Sequence, residues 1–291
     1  MTTASAPTVT DLVDTDRYPL SSSGSAGWRA AVARARRELA SRGCCVLPGF
    51  LRPSLVDALR AECASVAPSA HYDVESVNVY NTAPDPSLPE GHPVRTTMER
   101  GNAFVARDRL APDLIVSRLY TDPQVQGFVA ACFDVKELHE LADPLAGLCL
   151  NVLTPGREHP WHFDTNEFAV SLLAQAPDAG GRFAYCPDIR SAESERFEDV
   201  AGVLAGRRPE LVRHVEVRPG ALQLFRGRYA LHRVTAVQGR TDRHSVIFAY
   251  SRRPGVIGSV ERTRQLFGRV LPEHLAAEGR AVRVRADALL D

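Results

Sequence analysis

The amino-acid sequence predicts an α+β protein, mainly β, in which N-terminal helices buttress a double-stranded β-helix. In the second half of the chain, short apolar runs punctuated by Gly and Pro recur about every ten residues, which is typical of an all-β sandwich or barrel. In the first half, apolar residues recur at helical spacing. We expect a single domain over residues 26–291, with core strands over about 145–255.

The elements before the core follow from local patterns. Residues 1–25 are polar and rich in Ser and Thr, so part of this segment is expected to be mobile. Apolar positions from Trp28 to Leu39 predict a first helix, and residues 44–47 predict a strand. Pro53 suits the first position of a second helix.

A long irregular segment separates these elements from the core. Residues 70–110 are rich in Pro, and long loops over a rigid scaffold often supply lids, so we expect a lid here. Asp122 and Pro123 then predict another helix start. One more helix is expected at 195–206, inserted between core strands. The predicted core strands are 148–153, 168–173, 182–185, 221–225, 231–234 and 243–250.

Three histidines are followed two positions later by an acidic residue: His71, His162 and His214. About one such pair is expected by chance in a chain of this composition, so the sequence context has to decide. His71 lies in a polar stretch, and His214 lies in a half-exposed strand where it is expected to face solvent. His162 and Asp164 precede a buried strand, and we therefore predict that this pair binds a metal ion.

The predicted core strands can bring distant residues to the same mouth. His232 follows His162 by 70 residues. Two imidazoles and one carboxylate on one face of an octahedron form the facial triad of non-haem Fe(II) sites, which leaves the other positions open. Arg243 and Ser245 share a strand face, where a guanidinium beside a hydroxyl suits a buried carboxylate such as the distal one of 2-oxoglutarate.

The composition of the chain indicates which kinds of binding partner to expect. The formal net charge is zero, so nothing indicates nucleic acid or an anionic membrane as a partner. No apolar run approaches the roughly 18 residues of a membrane span. The N-terminus has neither a basic start nor an apolar core, so no signal peptide is expected. We expect a cytoplasmic protein with a small-molecule substrate; the sequence leaves the oligomeric state open.

The order of these features resembles the Fe(II)/2-oxoglutarate oxygenases over about residues 28–255. The runs 161–164, 180–183, 224–229 and 231–235 more narrowly resemble a subfamily that contains the radical halogenases of free amino acids such as lysine and their hydroxylase relatives. The resemblance implies a jelly-roll, cupin-like core with Fe(II) on His162, Asp164 and His232. It also implies 2-oxoglutarate as cosubstrate with O2, its C5 carboxylate held by Arg243 and Ser245.

One departure from the halogenases bears on the reaction. They carry glycine at the place of Asp164, and the vacant coordination position takes chloride. The carboxylate of Asp164 leaves no such vacancy, so the resemblance implies hydroxylation of an unactivated C–H bond, with decarboxylation of 2-oxoglutarate to succinate. Desaturation stays open because it begins with the same hydrogen abstraction. A free amino acid or similar small polar metabolite is the expected substrate.

Two alternatives to this function remain. The same chemistry on a nucleotide or a carrier-bound substrate needs no change in the metal site. A non-catalytic β-barrel binding protein with a vestigial metal site is the alternative of a different class, but the intact triad together with Arg243 argues against it.

Two residues next to the triad are candidates for cofactor or substrate contacts. Asn151 has apolar neighbours that predict burial, and a buried amide needs hydrogen-bond partners. The C1 carboxylate of 2-oxoglutarate, the substrate or a structural partner would each serve. The resemblance implies a substrate contact for His159, since a histidine near this place has that role in the halogenases; a plain loop histidine is the alternative.

Five further residues are weaker candidates for the substrate site. Trp161 is expected to pack under the site. Lysine-specific relatives place an acid close to Thr165, so this threonine argues against lysine as the substrate. Asp143 would bind an α-ammonium group or cap a turn. Arg95 and Arg107 would pair with a substrate carboxylate, or lie on the surface as most arginines do.

Overall fold

The computed structural model describes residues 8–73, 75–278 and 289–290. Within these ranges the helices are α1 (Val9–Leu12), α2 (Ala26–Arg42), α3 (Val56–Val66), α4 (Ile115–Thr121), α5 (Pro123–Cys132), α6 (Phe197–Leu204), α7 (Val260–Phe267) and α8 (Pro272–Glu278). The strands are β1 (Cys44–Leu47), β2 (Glu75–Val77), β3 (Met98–Arg100), β4 (Ala103–Val105), β5 (His139–Glu140), β6 (Leu148–Leu153), β7 (His159–His162), β8 (Ala169–Gln175), β9 (Ala179–Gly180), β10 (Phe183–Cys186), β11 (Arg213–Val215), β12 (Leu222–Phe225), β13 (Leu231–Val234), β14 (Val237–Gln238) and β15 (Arg243–Ser251).

The predicted helices begin and end at residues with the expected capping chemistry. The side chain of Ser25 accepts a hydrogen bond from Trp28 N at the start of α2, and Gly43 ends that helix with a left-handed φ of 72°. Asp122 accepts from the backbone N–H groups of Gln124 and Val125 at the start of α5. The helix predicted at Pro53 starts later, because a 3-10 turn precedes the α-helix that begins at Val56.

Two antiparallel sheets form the β core. The larger sheet has the order β1-β12-β8-β15-β6-β4, and β5 pairs with the far end of β15. The smaller sheet has the order β11-β10-β13-β7. The pairs β9–β14 and β2–β3 form two short additional ladders. The predicted double-stranded β-helix core is confirmed.

The helices cover one face of the larger sheet. Apolar residues of α2, α3 and α5 share a continuous core with the sheet residues that face them. The fully buried members of this core include Ala35, Leu59, Val125, Phe128, Leu150, Leu172, Leu224 and Phe248. The helices thus support the larger sheet on one face. The other face of the larger sheet is directed toward the smaller sheet. None of the described helices is long and apolar enough to cross a membrane.

Parts of the chain lie differently from the prediction. Residues 8–25, expected to belong to a partly mobile N-terminal segment, contain α1 and place Leu12, Val13 and Tyr18 in the main core; residues 1–7 lie outside the described residues. The segment 70–110 is not one loop, since its final strand β4 pairs with β6 in the larger sheet. Neither contact with the core was predicted, because both segments are largely polar and their apolar residues are few and irregularly spaced.

Candidate metal centre

The two predicted metal histidines face each other across neighbouring strands. His162 ends β7 and His232 lies on β13, and the two are register partners in the smaller sheet. His162 Nδ1 lies 2.8 Å from the carbonyl oxygen of Pro160, and His232 Nδ1 lies 2.9 Å from that of Ala230. A carbonyl oxygen can only accept, so each Nδ1 carries the proton and each Nε2 offers a lone pair to a metal.

Asp164 completes the cluster just beyond the end of β7. Its Oδ1 lies 3.6 Å from His162 Nε2 and 3.6 Å from His232 Nε2. One ligand atom from each of the three residues lies within 4.8 Å of the others, with both histidines buried and the aspartate half-buried. The predicted His162–Asp164–His232 cluster is therefore present, while the exposed His214 contributes to no such group among the described residues.

Gly227 packs directly against the Asp164 side chain. The Asp164 backbone N–H donates to the Gly227 carbonyl at 3.1 Å. A β-carbon on Gly227 would collide with Asp164 Oδ2 and would lie 2.8 Å from its Cγ. Only glycine leaves room for the carboxylate in this orientation, because real β-carbons do not make contacts this short.

The electrostatics favour the metal-binding protonation states of His162 and Asp164. Burial lowers the pKa of His162 well below its ordinary value of 6.5, and positive charge on His159 or His232 would act in the same direction. For Asp164 burial acts to raise the pKa, but the nearby imidazole of His232, with smaller contributions from His162 and Arg262, holds it below 3.8. A neutral imidazole and an ionised carboxylate are the forms that bind a metal.

The cluster opens into a cavity of about 1170 Å³ between the two sheets and the C-terminal helices. Its lining is mostly apolar, including Phe104, Phe183, Phe225 and Val234. Of the predicted lid at 70–110, Phe104 alone lines the cavity among the described residues, and the lid stays a prediction. More of the lining comes from the segment 253–267, which includes residues of α7.

Arg243 and Ser245 lie together in the cavity wall on β15. Arg243 Nη1 donates to Ser245 Oγ at 2.9 Å, and both side chains are buried. Burial lowers the pKa of Arg243 to about 10, so it stays protonated at neutral pH. Among the described residues, no carboxylate pairs with this buried cation. Asn151 is the register partner of Ser245, and within the described part of the chain its buried Oδ1 has no hydrogen-bond partner.

Two predicted substrate residues line the cavity. The ring of His159 stacks on that of His162, with centroids 3.7 Å apart. Burial lowers the pKa of His159 well below 6.5, and the charges of His232 and Arg100 add to this effect. Thr165 also lines the cavity, directly after the aspartate.

The other four candidates lie elsewhere. Trp161 packs under Arg233, whose guanidinium carbon is 4.8 Å from the ring centroid, and it does not line the cavity. Arg95 is exposed and donates to a loop carbonyl, and Arg107 pairs with Glu140 at 2.7 Å. The structure thus favours the surface or structural alternative for both arginines.

Asp143 is buried in a structural network rather than in the cavity. Its Oδ1 accepts from the backbone N–H groups of Leu145 and Ala146, and its Oδ2 accepts from that of Gly258. His274 Nε2 lies 3.2 Å from the same carboxylate. With its acceptors occupied, Asp143 caps a turn and links it to the C-terminal segment, which was the alternative role considered for it.

Two arginines near the metal centre were not predicted from the sequence. Arg190 is buried behind the metal-binding segment, with its guanidinium carbon 3.9 Å from the ring centroid of Phe163. Arg262 projects from α7 and lines the cavity. Among 35 basic residues with one lysine, a single arginine carries little information, and no local pattern marks either residue.

Comparisons with known proteins agree with this architecture. The chain is similar in fold to AviO1 from Streptomyces viridochromogenes Tue57, with 16% identity and a TM-score of 0.50, over 75% of this chain and 94% of that one. It is similar to a prolyl hydroxylase from Trichoplax adhaerens, solved with a peptide fragment of hypoxia inducible factor, with 13% identity and a TM-score of 0.50, over 82% and 93% of the two chains.

A third solved structure is a 2OG-Fe(II) oxygenase family protein from Burkholderia pseudomallei, with 18% identity, a TM-score of 0.48 and coverage of 77% and 92%. No curated protein matches the sequence. The family model described as Halogenase D matches residues 28–263. Since this match spans most of the sequence and includes all three residues of the metal cluster, the chain belongs to the Halogenase D family.

Proposed function

We propose that this protein is an Fe(II)- and 2-oxoglutarate-dependent oxygenase that hydroxylates an unactivated C–H bond of a small polar metabolite, such as a free amino acid. The observation that carries the proposal is the position of Asp164 in a complete His–Asp–His cluster, beside a buried Arg243 that has no carboxylate partner among the described residues. The first supplies a facial triad, and the second supplies the cation that a dicarboxylate cosubstrate needs.

The donor set fits Fe(II). Both histidines hold their protons on Nδ1 and direct Nε2 toward the Asp164 carboxylate, so two nitrogen atoms and one oxygen converge. When bound, Fe(II) and 2-oxoglutarate supply the oxidative chemistry in which one atom of O2 enters the C–H bond, the other enters succinate, and carbon dioxide is released.

The residues around the cluster have separable tasks. Arg243 and Ser245 would hold the distal carboxylate of 2-oxoglutarate through charge-assisted hydrogen bonds. Asn151 would use its free Oδ1 and its amide N–H groups near the metal. The aromatic wall of Phe104, Phe183 and Phe225 would exclude water around the reacting C–H bond.

The family description names a halogenase, but the coordination favours oxygen transfer. A halide would need the position that the Asp164 carboxylate takes. Gly227 packs against that carboxylate and leaves it room to lie 3.6 Å from both Nε2 atoms. With His162, Asp164 and His232 all holding Fe(II), the site would supply oxygen-transfer rather than halide-transfer chemistry.

Succinate release across a panel of amino acids and nucleotides, in buffer containing chloride, tests the proposal. We expect one class of small molecule to stimulate succinate formation, and its product to gain the mass of one oxygen atom derived from O2. A matched reaction without 2-oxoglutarate is the control.

The same product analysis separates the alternatives. Loss of two hydrogen atoms would replace hydroxylation by desaturation. A chlorinated product from the unmodified protein would overturn the hydroxylase assignment. No consumption of 2-oxoglutarate under any condition would favour the non-catalytic binding protein.

A further inference from the structure

We infer that Arg262, held in place by Asn81, forms an anion-binding subsite in the cavity, so that the substrate carries a carboxylate or a comparable anionic group. The inference rests on the proposed function, because it describes the substrate of the same cavity. Arg262 lies on α7, outside the predicted cosubstrate site on β15.

The guanidinium of Arg262 is held by neutral groups. Its Nη1 donates to Asn81 Oδ1 at 2.9 Å and to Gln265 Oε1 at 3.1 Å. Its Nε and Nη2 have no acceptor among the described residues, and the side chain lines the cavity. A cation fixed by two amides and open on its other edge is preorganised to bind an anion with a planar fork.

No carboxylate is in direct contact with Arg262 among the described residues. The nearby carboxylate of Glu75 pairs with Arg100, which is 2% exposed, at 3.1 Å. Burial lowers the pKa of Arg262 to about 10, and the charge of Arg100 acts in the same direction, whereas the charges of Asp164 and Glu75 act against it from a distance. An anionic ligand would therefore give this half-buried cation the contact partner that it lacks.

Asn81 holds Arg262 in place. Its Oδ1 accepts from Arg262 Nη1 at 2.9 Å, while its Nδ2 is buried and has no hydrogen-bond partner among the described residues. Asn81 does not line the cavity, so it orients the guanidinium toward an anion and does not contact the anion itself.

The subsite lies near the metal cluster. Arg262 lines the same cavity as His162, Asp164 and His232. An anionic group bound at Arg262 would place the carbon atoms next to it toward the cluster. Arg243, on β15, stays available for the cosubstrate.

Calorimetric titration tests this subsite, with the protein loaded anaerobically with Fe(II) and 2-oxoglutarate so that Arg243 is occupied. The probes are matched pairs: each L-amino acid with its carboxamide, and each nucleoside 5′-monophosphate with its nucleoside. In each pair the anionic partner carries a carboxylate or phosphate, and the neutral partner carries an uncharged carboxamide or hydroxyl in its place. We expect the probes that bind to be anionic partners, and their neutral partners to bind at least tenfold more weakly. R262Q should weaken the anionic probe by about 10- to 150-fold and leave the neutral partner unchanged.

Three further variants sharpen the test. R264Q removes an exposed positive charge from the same helix, at a position that does not line the cavity, and should leave both affinities unchanged. R262K should retain part of the affinity, because it keeps the charge but not the fork. N81D places a carboxylate against Arg262 from within, so it should abolish anion binding while keeping the fold, even where R262Q does not fold.

Equal binding of anionic and neutral partners, unchanged anion affinity in both R262Q and N81D, or no binding of any anionic probe would overturn the subsite. These results are separate from the oxygenase assignment, which is monitored by the visible absorption of the Fe(II)–2-oxoglutarate chelate. If the wild-type protein forms the chelate but binds the two partners of each pair equally, the subsite is refuted and the oxygenase assignment stands. If no chelate forms, the oxygenase assignment fails, and the same titration on the metal-free protein decides the subsite.

Discussion

Gly227 and Asp164 are in direct contact, and the absence of a side chain on Gly227 sets where the aspartate carboxylate lies. A β-carbon there would collide with Asp164 Oδ2 and would lie 2.9 Å from its Cβ. The backbone of Asp164 is tied to the same residue, since its N–H donates to the Gly227 carbonyl at 3.1 Å. One glycine therefore gives the carboxylate both its anchor and its space.

Substitution of this glycine should damage the metal site without touching a ligand. We expect G227A to lower the affinity for Fe(II), measured by anaerobic titration, by about 10- to 100-fold, as loss of an orienting partner does in other metal sites. G127A is the control, because outside the backbone of its own helix no described atom lies within 4 Å of a β-carbon on Gly127 in α5. Equal Fe(II) affinity in the two variants would contradict the positioning role.

The cosubstrate site predicts a selective loss. R243Q should raise the concentration of 2-oxoglutarate needed for half-saturation by about 10- to 150-fold, because a charge-assisted contact with a carboxylate is removed from a buried place. Fe(II) affinity should not change. S245A, which removes only the hydroxyl that accepts from Arg243 at 2.9 Å, should have a smaller effect in the same direction. A loss of Fe(II) binding in R243Q would place the arginine in the metal site instead.

Arg190, which packs behind the metal-binding segment, is expected to stabilise the folded protein. Arg190 pairs with Glu195 at 3.0 Å with no exposed side-chain surface, and it covers the Phe163 ring between two metal ligands. R190M leaves Glu195 without its partner, so we expect a loss of about 3–5 kcal/mol in the free energy of unfolding in denaturant. R218M breaks an exposed pair with Glu216 and should cause no measurable loss. Similar unfolding midpoints would contradict this view.

The buried histidines predict acid sensitivity of the metal-free protein. The folded-state pKa values of His159 and His162 lie well below 6.5, so below that pH the unfolded chain binds protons that the folded chain does not. Stability should fall as the pH drops from 6.5, by up to about 1.4 kcal/mol per pH unit for each histidine, and should not change through this cause above 6.5. H159Q should reduce the slope, whereas H214Q, at an exposed site, should not; equal slopes in all three proteins would refute the assignment.

The β core and the metal ligands were predictable from the sequence because both depend on local patterns. Strand 231–234 appears at its predicted bounds, after the break at Gly227 that separates it from the preceding strand. His162 and Asp164 sit together by spacing alone. The predicted strand around His232 then placed this histidine at the same end of the β core, where it is the register partner of His162.

The substrate side of the site was not predictable, because it is made by contacts between distant residues. Arg262 meets Asn81 across 181 residues, and neither lies in a motif. More of the described cavity lining comes from the segment 253–267 than from the irregular segment 70–110. An arginine-rich composition also made each single arginine uninformative before its neighbours were known.

The anaerobic visible spectrum of the protein with Fe(II) and 2-oxoglutarate tests the central claim most directly. We expect the charge-transfer band of 2-oxoglutarate chelated to Fe(II) in the wild-type protein, and its loss in D164A and H232A, while H214Q keeps it. No band in the wild-type protein, or a band that persists unchanged in D164A and H232A, would contradict the assignment of these residues as the ligands of an Fe(II)/2-oxoglutarate oxygenase.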